Sequence, residues 1–188
     1  MKKLGLFLCG FLFAASLFSQ TKEVAGIKLP ETLKVNDKTL HLKGAGIREK
    51  WFLDLYVGAL YLPHDYPSAE RIIAANETMA IKIHIISSLI TSDKMISATK
   101  EGFEKSTKGN TQPLQDRIDQ FIKAFSDPIE LDDDFEIVYI PGEGTYIYKN
   151  GQKKELIKGI DFKRALFGIW LGEEPADEDL KEAMLGEE

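Results

Sequence analysis

Thr39-Leu40-His41-Leu42-Lys43-Gly44-Ala45-Gly46-Ile47-Arg48-Glu49-Lys50-Trp51-Phe52-Leu53-Asp54-Leu55-Tyr56-Val57-Gly58-Ala59-Leu60-Tyr61-Leu62 carries most of the architecture. Its first five residues alternate polar with apolar, the period of a half-buried strand. Trp51 to Leu62 is apolar at nearly every position, which fits a central strand covered on both faces. Gly44 to Lys50 reads as a turn or bulged corner joining two antiparallel strands.

The neighbouring segments extend this pattern. Thr78 to Ser87 sets Ile81, Ile83 and Ile85 against Lys82 and His84, again with period two. Phe135 to Ile140 is a strand, Pro141-Gly142-Glu143-Gly144 turns it, and Thr145 to Lys149 returns. Asn150-Gly151 is a two-residue hairpin signal, and Glu155-Leu156-Ile157 continues the meander. Between the strands lie helical patterns. Ser68 to Ala75 is short. Met95, Ala98, Thr99, Gly102 and Phe103 share one stripe, and Leu114, Ile118, Phe121, Ile122 and Phe125 share another, with Lys108-Gly109-Asn110 separating them. Asp161 to Leu171 and Asp177 to Leu185 close the chain, with Asp161 and Asp177 as N-caps and Gly172 and Gly186 as stops. Hairpins dominate, so the fold class is α+β, an antiparallel sheet with helices on one side.

The N-terminus reads as an address. Lys2 and Lys3 precede fifteen uncharged residues, Leu4 to Phe18. A bilayer span takes about 20 residues, so the pattern suits a secretory signal over 1–19, with one domain over 20–188. The expected location is periplasmic or secreted. Removing that segment takes the net charge from −6 to −8 and removes Cys9, the single cysteine. Disulfide, thiolate and cysteine–metal chemistry are then excluded together. An acidic chain lacks the basic face that phosphate recognition requires, so no nucleic-acid partner is expected.

Little of the remaining sequence suggests chemistry. His41, His64 and His84 are not spaced as metal ligands, and Asp132-Asp133-Asp134 lacks the spaced ligands and glycine of a calcium loop. No metal and no cofactor is expected. Gly44-Ala45-Gly46 lacks the Lys-Ser/Thr of a phosphate loop, and no Gly-x-Ser-x-Gly elbow exists. Arg48 stands out beside the apolar strand. A guanidinium there can hold a carboxylate or an enolate by two hydrogen bonds, or it can pair with Glu49 or another acid. Tyr56 is either a polar handle in an apolar pocket or a core tyrosine bonded to a carbonyl. Lys94 sits in a first helical turn, where acids are preferred.

Gly44-Ala45-Gly46-Ile47-Arg48 followed by Tyr56-Val57-Gly58-Ala59-Leu60-Tyr61-Leu62 resembles the opening strands of the chalcone isomerase-like family. Glu101-Gly102-Phe103, Arg117-Ile118-Asp119-Gln120-Phe121, Tyr139 to Thr145 and Phe162-Lys163-Arg164-Ala165-Leu166 follow in the family's order, as does Ile169-Trp170-Leu171-Gly172. The likeness spans about residues 24–186 and is greatest to the bacterial, signal-bearing branch. It implies an open-faced β-sandwich. Plant enzymes of this fold close a chalcone to a flavanone, an intramolecular lyase reaction in which an arginine steadies negative charge. Relatives without that reaction bind fatty acids, with an arginine and a tyrosine on the carboxylate. By this resemblance Arg48 takes the arginine's place, Lys94 that of the enzymes' lysine, and Thr91 lies near that of their helix tyrosine. Their strand threonine falls at Tyr56, their asparagine at Ala98 and a late threonine or serine near Lys163.

A preorganised oxyanion donor contributes roughly 2.7–4 kcal/mol to a barrier, so losing several removes most of an enzyme's acceleration. Binding an apolar acid needs one anion anchor and buried methylenes at about 0.8 kcal/mol each. The expected function is therefore a non-catalytic binder of a small apolar carboxylate such as a fatty acid, with Arg48, Tyr56, Thr91 and Lys94 around the ligand. The alternative is an isomerase acting on a chalcone- or enone-like substrate, with Arg48 and Lys94 catalytic. A third possibility is a packed interaction protein in which Arg48 forms an internal salt bridge.

Overall fold

A computed structural model describes residues 21–187. The proposed signal segment therefore lies outside the described residues. The strands are β1 (Thr21–Val24), β2 (Ile27–Pro30), β3 (Thr32–Val35), β4 (Lys38–Lys50), β5 (Leu53–Leu62), β6 (Met79–Ile85), β7 (Asp134–Ile140), β8 (Gly144–Lys149) and β9 (Gln152–Ile157). The helices are α1 (Ala69–Ala74), α2 (Ser92–Ser106), α3 (Gln115–Lys123), α4 (Ile160–Leu171) and α5 (Glu178–Leu185). β3 to β9 form a seven-stranded antiparallel sheet in simple sequence order, and β1 and β2 form a separate hairpin.

Strand alternation sorts the core into two layers. Leu60, Leu62, Ile81, Ile83, Ile85, Phe135 and Ile137 face the helices, where they pack with Phe103, Phe121, Phe162 and Trp170. Leu40, Ala45, Val57, Ala59, Tyr61, Ala80 and Val138 face the other way, under Leu29 and Ile27 of the β1–β2 hairpin. Tyr61 ties that hairpin down by donating to the Pro30 carbonyl at 3.0 Å. The result is the expected α+β sandwich.

The corner between the first two long strands differs from the expectation. Residues 44–50 are not a turn: β4 continues through them to Lys50, with a bulge where the register passes from Leu42↔Tyr61 to Gly44↔Leu60. The chain reverses at Trp51-Phe52 instead, with φ of 53° and 64°. Trp51, Phe52 and Leu53 are exposed, so the apolar run is covered only from Leu55 onward. Asp161 also differs: Gly159 occupies the N-cap of α4, and Asp161 lies in its first turn. There it accepts two bonds from Arg117, each 2.7 Å, tying α3 to α4.

α1 is held in place by Lys163, which is fully buried on α4. Its ammonium donates to the carbonyls of Ile72, Ile73 and Ala75 at 2.6, 2.9 and 3.1 Å, which end α1. Carbonyls at a helix C-terminus are orphan acceptors, and a cation there also meets the negative end of the helix dipole. Burial nonetheless pulls the Lys163 pKa down to about 7.

Candidate functional site

Alternation places Gly44, Gly46 and Arg48 of β4 on the helix side, opposite Leu60, Gly58 and Tyr56 of β5. α5 lies directly on this strip. A β-carbon at Gly44 would sit 2.2 Å from the Ala183 carbonyl oxygen, and one at Gly46 would sit 2.5 Å from the Ala183 β-carbon. One at Gly58 would come within 3.2 Å of Leu180. Gly44 and Gly46 are thus required by the close approach of a helix, not by a corner in the backbone.

Arg48 stands at the end of this strip. Its Nη1 donates to Asp177 Oδ2 at 2.7 Å and to the Glu49 carbonyl at 2.6 Å. Asp177 is the N-cap of α5: its Oδ1 accepts from the Leu180 N–H at 3.0 Å, while Oδ2 also takes the Glu49 N–H at 3.3 Å. The pair is mostly shielded, with side-chain exposures of 18% and 12%. A bulge adjoins it, because the register steps from Arg48↔Tyr56 to Glu49↔Asp54 and leaves Leu55 unpaired. Bulges re-aim the side chains beside them.

Tyr56 faces Arg48 directly across the ladder. Its hydroxyl accepts from Trp170 Nε1 on α4 at 3.0 Å. Burial pushes the phenol pKa up, opposed by the Trp170 bond and the Arg48 charge, with Asp177 adding a smaller upward push. The phenol therefore keeps its proton at neutral pH. Among the described residues no acceptor takes that proton, and Nε and Nη2 of Arg48 make no hydrogen bond. Three donors on two adjacent strands are thus unspent. An arginine fork with a phenol beside it matches a carboxylate, or the oxygen of an enolate.

The other two predicted ligand residues are exposed and bonded locally. Thr91 Oγ1 caps α2 by accepting from the Lys94 N–H at 3.3 Å. The Lys94 ammonium donates to the Leu89 carbonyl at 2.9 Å. Neither hydrogen-bonds to Arg48 or Tyr56. The sequence marks Asp177 as a helix cap and Trp170 as part of the Ile169–Gly172 motif, and the polar roles of both in the cluster give no local signal. Two surface hollows, of about 270 and 470 Å³, lie elsewhere, against Lys22, His41 and Lys43 and against Gln112 to Arg117. Among the described residues, no group of histidines, cysteines and carboxylates could hold a metal ion.

No curated protein matches the chain. A crystal structure of a fatty-acid binding protein from Arabidopsis thaliana superposes with a TM-score of 0.67 at 18% identity, covering 85% of this chain and 92% of that one. At that identity the likeness establishes a shared fold. The family model described as chalcone isomerase-like matches residues 21–186, so the chain belongs to the chalcone isomerase-like family.

Proposed function

We propose that this protein binds a small apolar carboxylate, such as a fatty acid, and that Arg48 and Tyr56 grip the carboxylate. The observation that carries this reading is the set of unspent donors: Arg48 Nε and Nη2, with the Tyr56 hydroxyl proton directly across the ladder. The unbonded Arg48 nitrogens are not sealed from solvent, so an anion can reach them, and a hydrogen bond to a charged group is worth roughly 1.5–3 kcal/mol. Asp177 occupies the other arm of the guanidinium, like an internal stand-in for the ligand's head group. The two hollows described above lie away from the pair, so in this reading a hydrocarbon tail enters where α5, which carries Asp177 at its N-cap, gives way. The fatty-acid binding neighbour supports the ligand class. The basic start and uncharged run over 2–18 support export, so we place the protein's work outside the cytoplasm.

The test is calorimetry with palmitate and with its methyl ester, on wild type and Arg48→Met. Palmitate should bind wild type and lose at least tenfold in affinity to the variant. The ester should bind both equally weakly. Equal palmitate affinity in the two proteins would overturn the proposal, as would no binding at all.

A further inference from the structure

The β4–β5 turn breaks the rule that the chain follows at its other two-residue hairpins. Ala25-Gly26, Asn36-Asp37 and Asn150-Gly151 supply small or Asx residues there, as turns with positive φ demand. The longest hairpin instead puts tryptophan and phenylalanine at the two central positions, both with positive φ. A bulky residue in that region strains the backbone. Neither ring gains burial in return, for Trp51 is 82% and Phe52 95% exposed.

Among the described residues, the remaining exposed large apolar side chains gather at the same end of the sheet. They are Leu53, beside the tip, Leu89, just past β6, and Leu131, just before β7. The pairing of Tyr56 with Ile85 and of His84 with Asp134 brings those loops to that end. Behind the tip the hairpin is layered. Lys50 pairs with Leu53, and its ammonium lies 5.2 Å from the centre of the Trp51 ring. The next rung is Glu49 opposite Asp54, both exposed.

We propose that this end of the sheet docks on a lipid–water interface, with Trp51 and Phe52 inserted among the acyl chains nearest the head groups. The layering favours lipid over a protein pocket. Two rungs at about 3.3 Å each separate the aromatic tip from the paired carboxylates, so insertion stops at about 7 Å. That agrees with the roughly 5–10 Å to which interfacial apolar faces bury. Tryptophan with a lysine beside it belongs at the head-group level. The carboxylate rung and the net charge of −6 match a zwitterionic surface better than an anionic one. This inference goes beyond the ligand proposal and does not depend on it.

The experiment compares the full-length wild type with the double variant Trp51→Asn/Phe52→Gly and the single variant Phe52→Gly. All three carry the same residues 1–20, so any affinity of that segment for lipid cancels in the comparison. The probes are phosphatidylcholine vesicles with and without bromine on the upper acyl carbons. Trp51 emission should shift to the blue on vesicles and be quenched by the brominated lipid. Phe52→Gly should cut that quenching severalfold, and the double variant, left with Trp170 alone, should show none. The double variant should also melt a few degrees higher, because Asn-Gly suits the turn. Trp51 emission that stays water-like and unquenched on vesicles overturns the proposal, even if the chain is bound through another segment. So does emission already shielded without lipid in a dimer that the double variant abolishes. Loss of palmitate binding in the Arg48 variant leaves this result untouched.

Discussion

Asp177 binds Arg48 with one carboxylate oxygen and begins α5 with the other. One side chain thereby joins the fifth helix to a strand 129 residues earlier. Asp177→Asn keeps an oxygen for the Leu180 N–H but removes the charge. The loss should fall between that of an exposed and a buried pair, about 2 kcal/mol, read from urea unfolding. Palmitate affinity should rise, because the guanidinium no longer has an internal carboxylate. Weaker palmitate binding with an intact fold would count against Asp177 as a competitor for Arg48.

The seat of α5 can be probed from both sides. Gly46→Ala drives a methyl group into Ala183, 2.5 Å away, and overpacking of this kind costs about 1–3 kcal/mol. Adding Ala183→Gly should restore at least half of the loss in the double variant. If the two losses simply add, the helix does not rest there as described.

Lys163 should leave a mark on the pH dependence of stability. Its folded pKa is pulled by burial from 10.5 to about 7, with Arg164 contributing less. Between those values the unfolded chain binds more protons than the folded one, so stability rises with pH across the window. The slope from this group is at most about 1.4 kcal/mol per pH unit. Chemical denaturation of wild type and Lys163→Met from pH 7 to 10 should show the slope only in wild type. The same slope in both would assign it to another group.

Trp170→Phe removes the donor to the Tyr56 hydroxyl and keeps most of the apolar volume. Stability should fall by about 1 kcal/mol. The phenol pKa should rise further, since the Trp170 bond is the largest influence lowering it. Ultraviolet titration of Tyr56 reads the second effect; a fall in that pKa would contradict the assigned bond.

Much of this architecture is legible from local patterns. The period-two run of β6, the Asn150-Gly151 turn, and the stripes of α2 and α3 announce themselves within a dozen residues, because burial on one face dictates each residue in turn. Residues 21–35 do not. Their three strands are four residues long, and lysine, glutamate and threonine alternate with single apolar residues, so no window is long enough to show a period. Gly44-Ala45-Gly46 is visible as a motif, but its cause lies in Ala183, which no spacing rule connects to it. The site divides the same way. Arg48 and Tyr56 are apparent as polar residues against an apolar strand, and Asp177 as a cap. That the arginine meets the cap is a fact of tertiary approach alone.

The strand order of the main sheet has a consequence for biosynthesis. Each of its strands from β4 onward pairs with the one made just before it, so the meander can zip up in the order in which it leaves the ribosome. The latch is different. Arg48 is made 129 residues before Asp177, so the early guanidinium stays unclaimed until the helix that carries its partner has followed.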